Sequence, residues 1–147
     1  MRVVFDTNIL TRAVASPSGP AGELFERVAS DHLIIASLEL LAELSRVLSY
    51  ERLRRLHRLS DESIDVFIEG IESGATLVRL PNLLPRIVPY DVDDDLVVAI
   101  AVAGRADVLC TRNRHLFHEN VVAYCRDRAI EVMDDLKLLQ KVREEHA

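Results

Sequence analysis

The sequence predicts an α/β protein, a three-layer α/β/α sandwich around a mostly parallel sheet of about five strands. Two observations carry that expectation. Short runs of β-branched and other apolar residues recur without polar interruption, as in strands covered on both faces. Between them lie longer segments whose apolar residues fall at helical spacing. Strands that alternate with helices pair in parallel through helical crossovers, which places helical layers on both sides of the sheet.

The elements follow in order. Val3-Val4-Phe5 is a buried strand, and Asp6-Thr7-Asn8 stands at its carboxyl end, where open α/β sheets gather their ligand chemistry. Gly19-Pro20 precedes a helix with Leu24, Phe25 and Val28 on one face. Residues 33–36 read as the next strand. Ser37 can then cap a helix whose stripe is Leu40, Leu41, Leu44, Val47 and Leu48. Ser60-Asp61-Glu62 opens another helix, with acids in the first turn where the helix dipole favours them. A strand is expected at 75–78. Pro81, Pro85 and Pro89 mark an irregular connection that is too short to separate two domains. Residues 93–103 predict a helix that is apolar on nearly every side and stops at Gly104. Strands at 107–110 and 129–132 and a helix from about Asp134 complete a single domain over 1–147.

A chain of 147 residues buries a substantial core. No apolar stretch approaches the ~20 residues that span a bilayer. Met1-Arg2 leads straight into the first strand, and Cys110 and Cys125 make no disulfide framework, so a cytoplasmic protein with no membrane association is expected. The net charge of −6 argues against nucleic-acid binding. Its distribution softens that objection. Arg46, Arg52, Arg54, Arg55, His57 and Arg58 form one basic segment, and Arg112, Arg114 and His115 form another. Positive surface near an acidic pocket is what a phosphate-cleaving enzyme needs, because the pocket alone would repel its substrate. A solvated helix face and an arginine-rich loop explain the same residues equally well.

The acids are the other landmark. Asp6 either caps a turn or helps to build a site. On a helical wheel Glu43 falls beside Leu40 and Val47, with Glu39 rotated ~40° further from the buried stripe. Glu43 therefore leans toward the sheet edge or snorkels at the boundary. Asp94 shares its face with Val97, Val98 and Ala101, while Asp95 is turned ~100° away. One of Asp93, Asp94 and Asp95 serves as a helix cap, which leaves the others unexplained by capping. Thr111-Arg112-Asn113 leaves the sheet at the same edge as Asp6, as a polar site or as a plain turn. Two carboxylates ~4 Å apart repel by ~4 kcal/mol at an effective dielectric near 20. Lys137 and Lys141, the only lysines, lie in the last helix. A hard divalent cation held through oxygen resolves the conflict. With no histidine or cysteine grouping at zinc spacing, Mg²⁺ or Mn²⁺ is favoured.

Asp6-Thr7-Asn8, Glu43 within Leu41-Ala42-Glu43-Leu44, the run Asp91-Val92-Asp93-Asp94, and Ala106-Asp107-Val108-Leu109-Cys110-Thr111 resemble a PIN domain in order and spacing across almost the whole chain. The likeness is to compact prokaryotic PIN proteins, including VapC-like ribonuclease toxins of toxin–antitoxin pairs. The resemblance implies a PIN-like fold and a Mg²⁺- or Mn²⁺-dependent endoribonuclease. It maps Asp6, Glu43 and Asp94 onto the catalytic and metal-binding acids, with Asn8 and Thr111 as supporting polar positions. Many members carry a further acid where this chain has Asn113, which puts a second metal site in doubt; Asp95 is the candidate to compensate. Arg46, Arg52, Arg54, Arg55, Arg112 and Arg114 would contact RNA, in single strands or loops. A cognate antitoxin and a homodimer or higher oligomer are the implied protein partners; Leu24, Phe25, Val28 and the stripe near 40–48 are places that could receive them, although ordinary core accounts for most of those side chains. The rival reading is a degenerate PIN fold that binds RNA or protein without cleaving. A receiver domain would want a lysine near Thr111, and a haloacid-dehalogenase-like phosphatase a second aspartate at Asn8. Neither is present.

Overall fold

The computed structural model of the chain describes residues 1–88 and 94–145. Among these, five strands form one sheet in the order β3-β2-β1-β4-β5, all parallel. They are β1 Arg2–Phe5, β2 Leu33–Ala36, β3 Thr76–Leu77, β4 Val108–Cys110 and β5 Glu131–Met133. The helices are α1 Thr7–Ala15, α2 Pro20–Asp31, α3 Leu38–Leu48, α4 Glu51–His57, α5 Asp61–Gly74, α6 Asp95–Ala103, α7 Glu119–Arg126 and α8 Asp135–Glu144.

Side chains of a strand alternate between faces, and the core divides accordingly. Val3, Phe5, Val108 and Cys110 point to one side, where α1, α2, α3, α5 and α8 close over them. Val4, Ile35 and Leu109 point to the other, against α6, α7 and the 87–88 segment. This is the expected three-layer sandwich. The central strands are covered on both faces, which is why they read as unbroken apolar runs rather than as alternating patterns. Ser37 and Ser60 cap α3 and α5 as expected, their hydroxyls accepting from the backbone N–H of Leu40 and Ser63 at 3.1 Å each.

Several boundaries differ from the sequence reading. The strand expected at 129–132 begins instead at Glu131. Ala129, in the turn between α7 and β5, lies in the left-handed region at φ 61°, which a strand does not accommodate. The strand at 75–78 shortens to two residues on the sheet's edge. Helix α1 was not anticipated: it starts on the residue after Asp6, leaving no linker to announce it. The basic segment contains its own short helix, α4, separated from α3 by Ser49 and Tyr50 and ended by Arg58 at φ 56°. The expected helix at 93–103 is seen from Asp95; Pro89, Asp91 and Asp93 lie outside the described residues. Leu24 and Val28 are fully buried core, so of the three residues offered to a partner only Phe25 is partly open.

Candidate active site

Parallel pairing brings the carboxyl ends of β1 and β4 side by side. Phe5 is in register with Cys110, and the Asp6 N–H donates to the Cys110 carbonyl at 2.9 Å. Asp6 and Thr111, the next residues, are therefore neighbours. The Asp6 side chain is buried and held at three points. Its Oδ1 accepts from the Thr7 N–H at 2.8 Å, which makes Asp6 the N-cap of α1. Its Oδ2 accepts from the Thr111 hydroxyl at 2.8 Å and from Asn8 Nδ2 at 3.2 Å. Asn8 is fixed in turn, since its Oδ1 accepts from the Arg112 N–H at 3.1 Å. Of the two alternatives in the sequence the cap is seen here, and the same carboxylate also gathers Thr111 and Asn8.

Despite three donors, the Asp6 pKa is raised. Burial is the main cause, the Thr111 and Thr7 bonds oppose it, and the charge of Asp94 adds to it. Asp6 and Asp94 thus share a region of negative potential. Asp94 stands at the N-cap position of α6 yet makes no capping bond; its Oδ2 lies 3.4 Å from His115 Nδ1. Among the described residues neither aspartate forms an ion pair with arginine or lysine. A carboxylate held by neutral donors beside a second carboxylate has oxygens available and charge to offset, which suits a hard divalent cation.

The remaining expected ligands sit differently. Glu43 is half-buried and Glu39 exposed, which fits both readings of Glu43, the lean toward the sheet edge and the boundary position. Among the described residues, however, no three carboxylate, imidazole or thiol groups stand close enough to cage a metal, so Glu43 does not close a set with Asp6 and Asp94. Like charges repel, and Asp94 faces His115 instead. The wheel placed Asp95 away from the core; in fact it is buried. Its Oδ1 accepts from the N–H groups of Ile87 and Val88 at 2.9 and 2.7 Å, and its Oδ2 lies 3.3 Å from Arg86. The segment at 86–88 covers that side of α6 and uses Asp95 as its anchor, which corrects the assignment of Asp95 as a compensating ligand. Asn113 caps a 3-10 turn over Arg114–Phe117, its Oδ1 accepting from the His115 N–H at 3.0 Å, so the turn reading holds for its side chain.

The arginines also divide. Arg54 pairs with Asp61, Arg55 with Glu51 at 2.9 Å, and Arg112 with Asp135 at 2.7 Å. Arg46, Arg52 and Arg114 are exposed, with no ion pair among the described residues. Sequence reasoning missed His115 as a neighbour of Asp94, and it missed Asp135 entirely. A signal existed for the second. Asp134 and Asp135 both open α8, and only one can cap it. Asp134 does, accepting from the Lys137 N–H at 2.8 Å, and Asp135 turns inward.

Residues 2–115 match a family model described as PIN domain. No curated protein matches the sequence significantly. Among solved structures, a chain of VapBC2 from Rickettsia felis, crystallised bound to a DNA fragment from its promoter, superposes with a TM-score of 0.62 at 17% sequence identity. The match covers 91% of this chain and 98% of that one. At that identity the likeness concerns the fold alone.

Proposed function

Because this chain belongs to the PIN-domain family, we propose that it is a divalent-metal-dependent endoribonuclease. The observation that carries the reading is the pairing of buried Asp6 with Asp94 at the carboxyl edge of the sheet, with no lysine or arginine ion pair to either among the described residues. Asp6 and Asp94 would hold the cation, and Glu43 on α3 is the third acid proposed to join them. Mg²⁺ fits the oxygen-only donors best, and Mn²⁺ is the close substitute. The chemistry such an ion supplies is polarisation of the phosphodiester and acidification of the attacking water.

The chain's own residues do the rest. The Thr111 hydroxyl donates to Asp6 and accepts from the Asn113 N–H at 2.9 Å, so its proton has one destination and the carboxylate one orientation. Asn8 fixes the same oxygen from the other side. His115 stands beside Asp94 on the open side of the site, where it can hold or pass a proton as the leaving oxygen departs. Arg46, Arg52 and Arg114, exposed and without ion pairs among the described residues, would meet the backbone of single-stranded or looped RNA; Arg54 and Arg55 would contribute less while tied to Asp61 and Glu51.

The toxin role, with a cognate antitoxin as partner, is part of the same proposal and is supported by the fold shared with a VapBC2 chain. An apolar groove of about 250 Å³ between α2 and α5, lined by Phe25, Ile34, Val66, Phe67, Gly70 and Gly74, lies toward the amino edge of the sheet, away from the acids. It gives a partner segment a place to dock without crossing the site.

The test is incubation with a defined RNA pool, with Mg²⁺ or Mn²⁺ and with EDTA, followed by end-sequencing of the products. Cleavage that needs the cation and disappears in both Asp6→Asn and Asp94→Asn is expected. RNA binding without cleavage, unaffected by either substitution, would make the chain a binding module instead.

A further inference from the structure

We propose that Arg12 and Arg112, held together on the buried carboxylate of Asp135, form a clamp for a backbone phosphate of the RNA strand, beside the phosphate that is cut. The inference rests on the nuclease reading for the identity of the strand, and on separate residues for its geometry.

Asp135 is completely buried, and an ionised carboxylate survives there only if paired. Its Oδ1 accepts from Arg112 Nε at 2.7 Å, and its Oδ2 lies 3.6 Å from Arg12 Nε without a hydrogen bond of its own. One carboxylate facing two guanidiniums leaves a net positive charge. Both arginines meet it through Nε. Their terminal nitrogens make no hydrogen bond to a described residue, and the side chains are 47% and 37% exposed. A planar fork with free donors on one edge is suited to a phosphate oxygen pair.

The position is also specific. Arg12 follows Asn8 by four residues on α1 and so shares its face. The Arg112 N–H donates to Asn8 Oδ1, and Asn8 Nδ2 donates to Asp6 Oδ2. The Asn8 side chain thus ties the Arg112 backbone to the Asp6 carboxylate. A purely structural clip joining α1, α8 and the turn after β4 would have no need of two half-exposed guanidiniums with unbonded terminal donors, one of them on the residue after Thr111. Pre-placing two arginines there lets a strand be held by charge while the acids, which repel it, are kept in reach.

The test is fluorescence anisotropy of a labelled single-stranded RNA oligonucleotide in EDTA, across a NaCl series. Arg12→Gln should weaken binding about tenfold, the loss of one charge-assisted contact. It should also flatten the dependence of log affinity on log salt by about 0.7, the release expected per single-strand phosphate. Arg126→Gln removes the same charge near the amino edge of the sheet and should leave that slope unchanged. Asp135→Asn makes the protein more positive yet frees both arginines from their anchor, so it should bind less tightly. Inorganic phosphate alone, at constant ionic strength, should displace the oligonucleotide only weakly. The clamp is overturned by a wild-type slope in Arg12→Gln, by tighter binding in a folded Asp135→Asn, by strong displacement by inorganic phosphate, or by no RNA binding at all. If the clamp fails while metal-dependent cleavage persists, the nuclease reading stands. If the clamp binds and nothing is cleaved, the nuclease reading falls alone.

Discussion

Two buried aspartates at the same sheet edge are treated in opposite ways. Asp135 is met by two arginines, while among the described residues Asp6 receives only neutral donors and has a second carboxylate, Asp94, for company. The first arrangement settles its charge within the protein. The second leaves charge unsettled, which no fold requires and which a cation-dependent site does. The difference separates a carboxylate that joins elements of the molecule from one that, in the proposed reading, costs it stability for the sake of chemistry.

The widest gap should appear in cleavage. Asp6→Asn keeps the shape and loses the charge, and RNA cleavage in Mg²⁺ should fall by at least about a hundredfold, the scale of losing one preorganised electrostatic group. Its unfolding midpoint in EDTA should be no lower than that of the unsubstituted chain; a clear drop would mean that Asp6 is structural after all. Asp135→Asn should behave in reverse, losing about 3 kcal/mol in urea unfolding. That is the lower end of what breaking a buried pair costs, because both guanidiniums are partly exposed.

A smaller effect is the pH dependence of the same pair. The folded chain raises the Asp6 pKa, so it keeps a proton that the unfolded chain releases near the ordinary value of 3.8. Stability from this group is full below 3.8 and declines as pH rises through the elevated folded value. Urea unfolding in EDTA over a pH series should show that decline in the unsubstituted chain relative to Asp6→Asn, and a parallel pair of curves would remove the argument. The smallest effect belongs to a carboxylate paired in open water. Glu23 is held at about 2 by Arg143 and Arg27, and its contribution is present above the ordinary value of 4.5 and lost as pH falls toward 2. Glu23→Gln should flatten the acid limb only slightly, since exposed pairs are screened.

The same contrast explains what could be read from the chain. Val3-Val4-Phe5 and residues 33–36 were legible because a strand buried on both faces must be apolar throughout. Asp6, Asn8 and Thr111 were legible because polar groups directly after such strands have few structural reasons to be there. Asp95 was misjudged because the wheel knows one helix and not the 86–88 segment that packs over it. Asp135 was overlooked because its two arginines come from elements 23 and 123 residues away, and no local spacing announces a pairing across that distance. Glu43 stands between: its half-buried position on α3 was legible from the stripe beside it, whereas no group of three acids that could hold a metal is found among the described residues.

In the proposed reading Asp6 and Asp94 together create a place for a divalent cation. Titration of the chain with Mn²⁺, followed by loss of the free-ion signal in electron paramagnetic resonance, reads this directly. Uptake by the unsubstituted chain that is lost in both Asp6→Asn and Asp94→Asn, and retained in Asp95→Asn, is the result expected. Equal uptake in all four chains, or none in the unsubstituted one with RNA present, would contradict it.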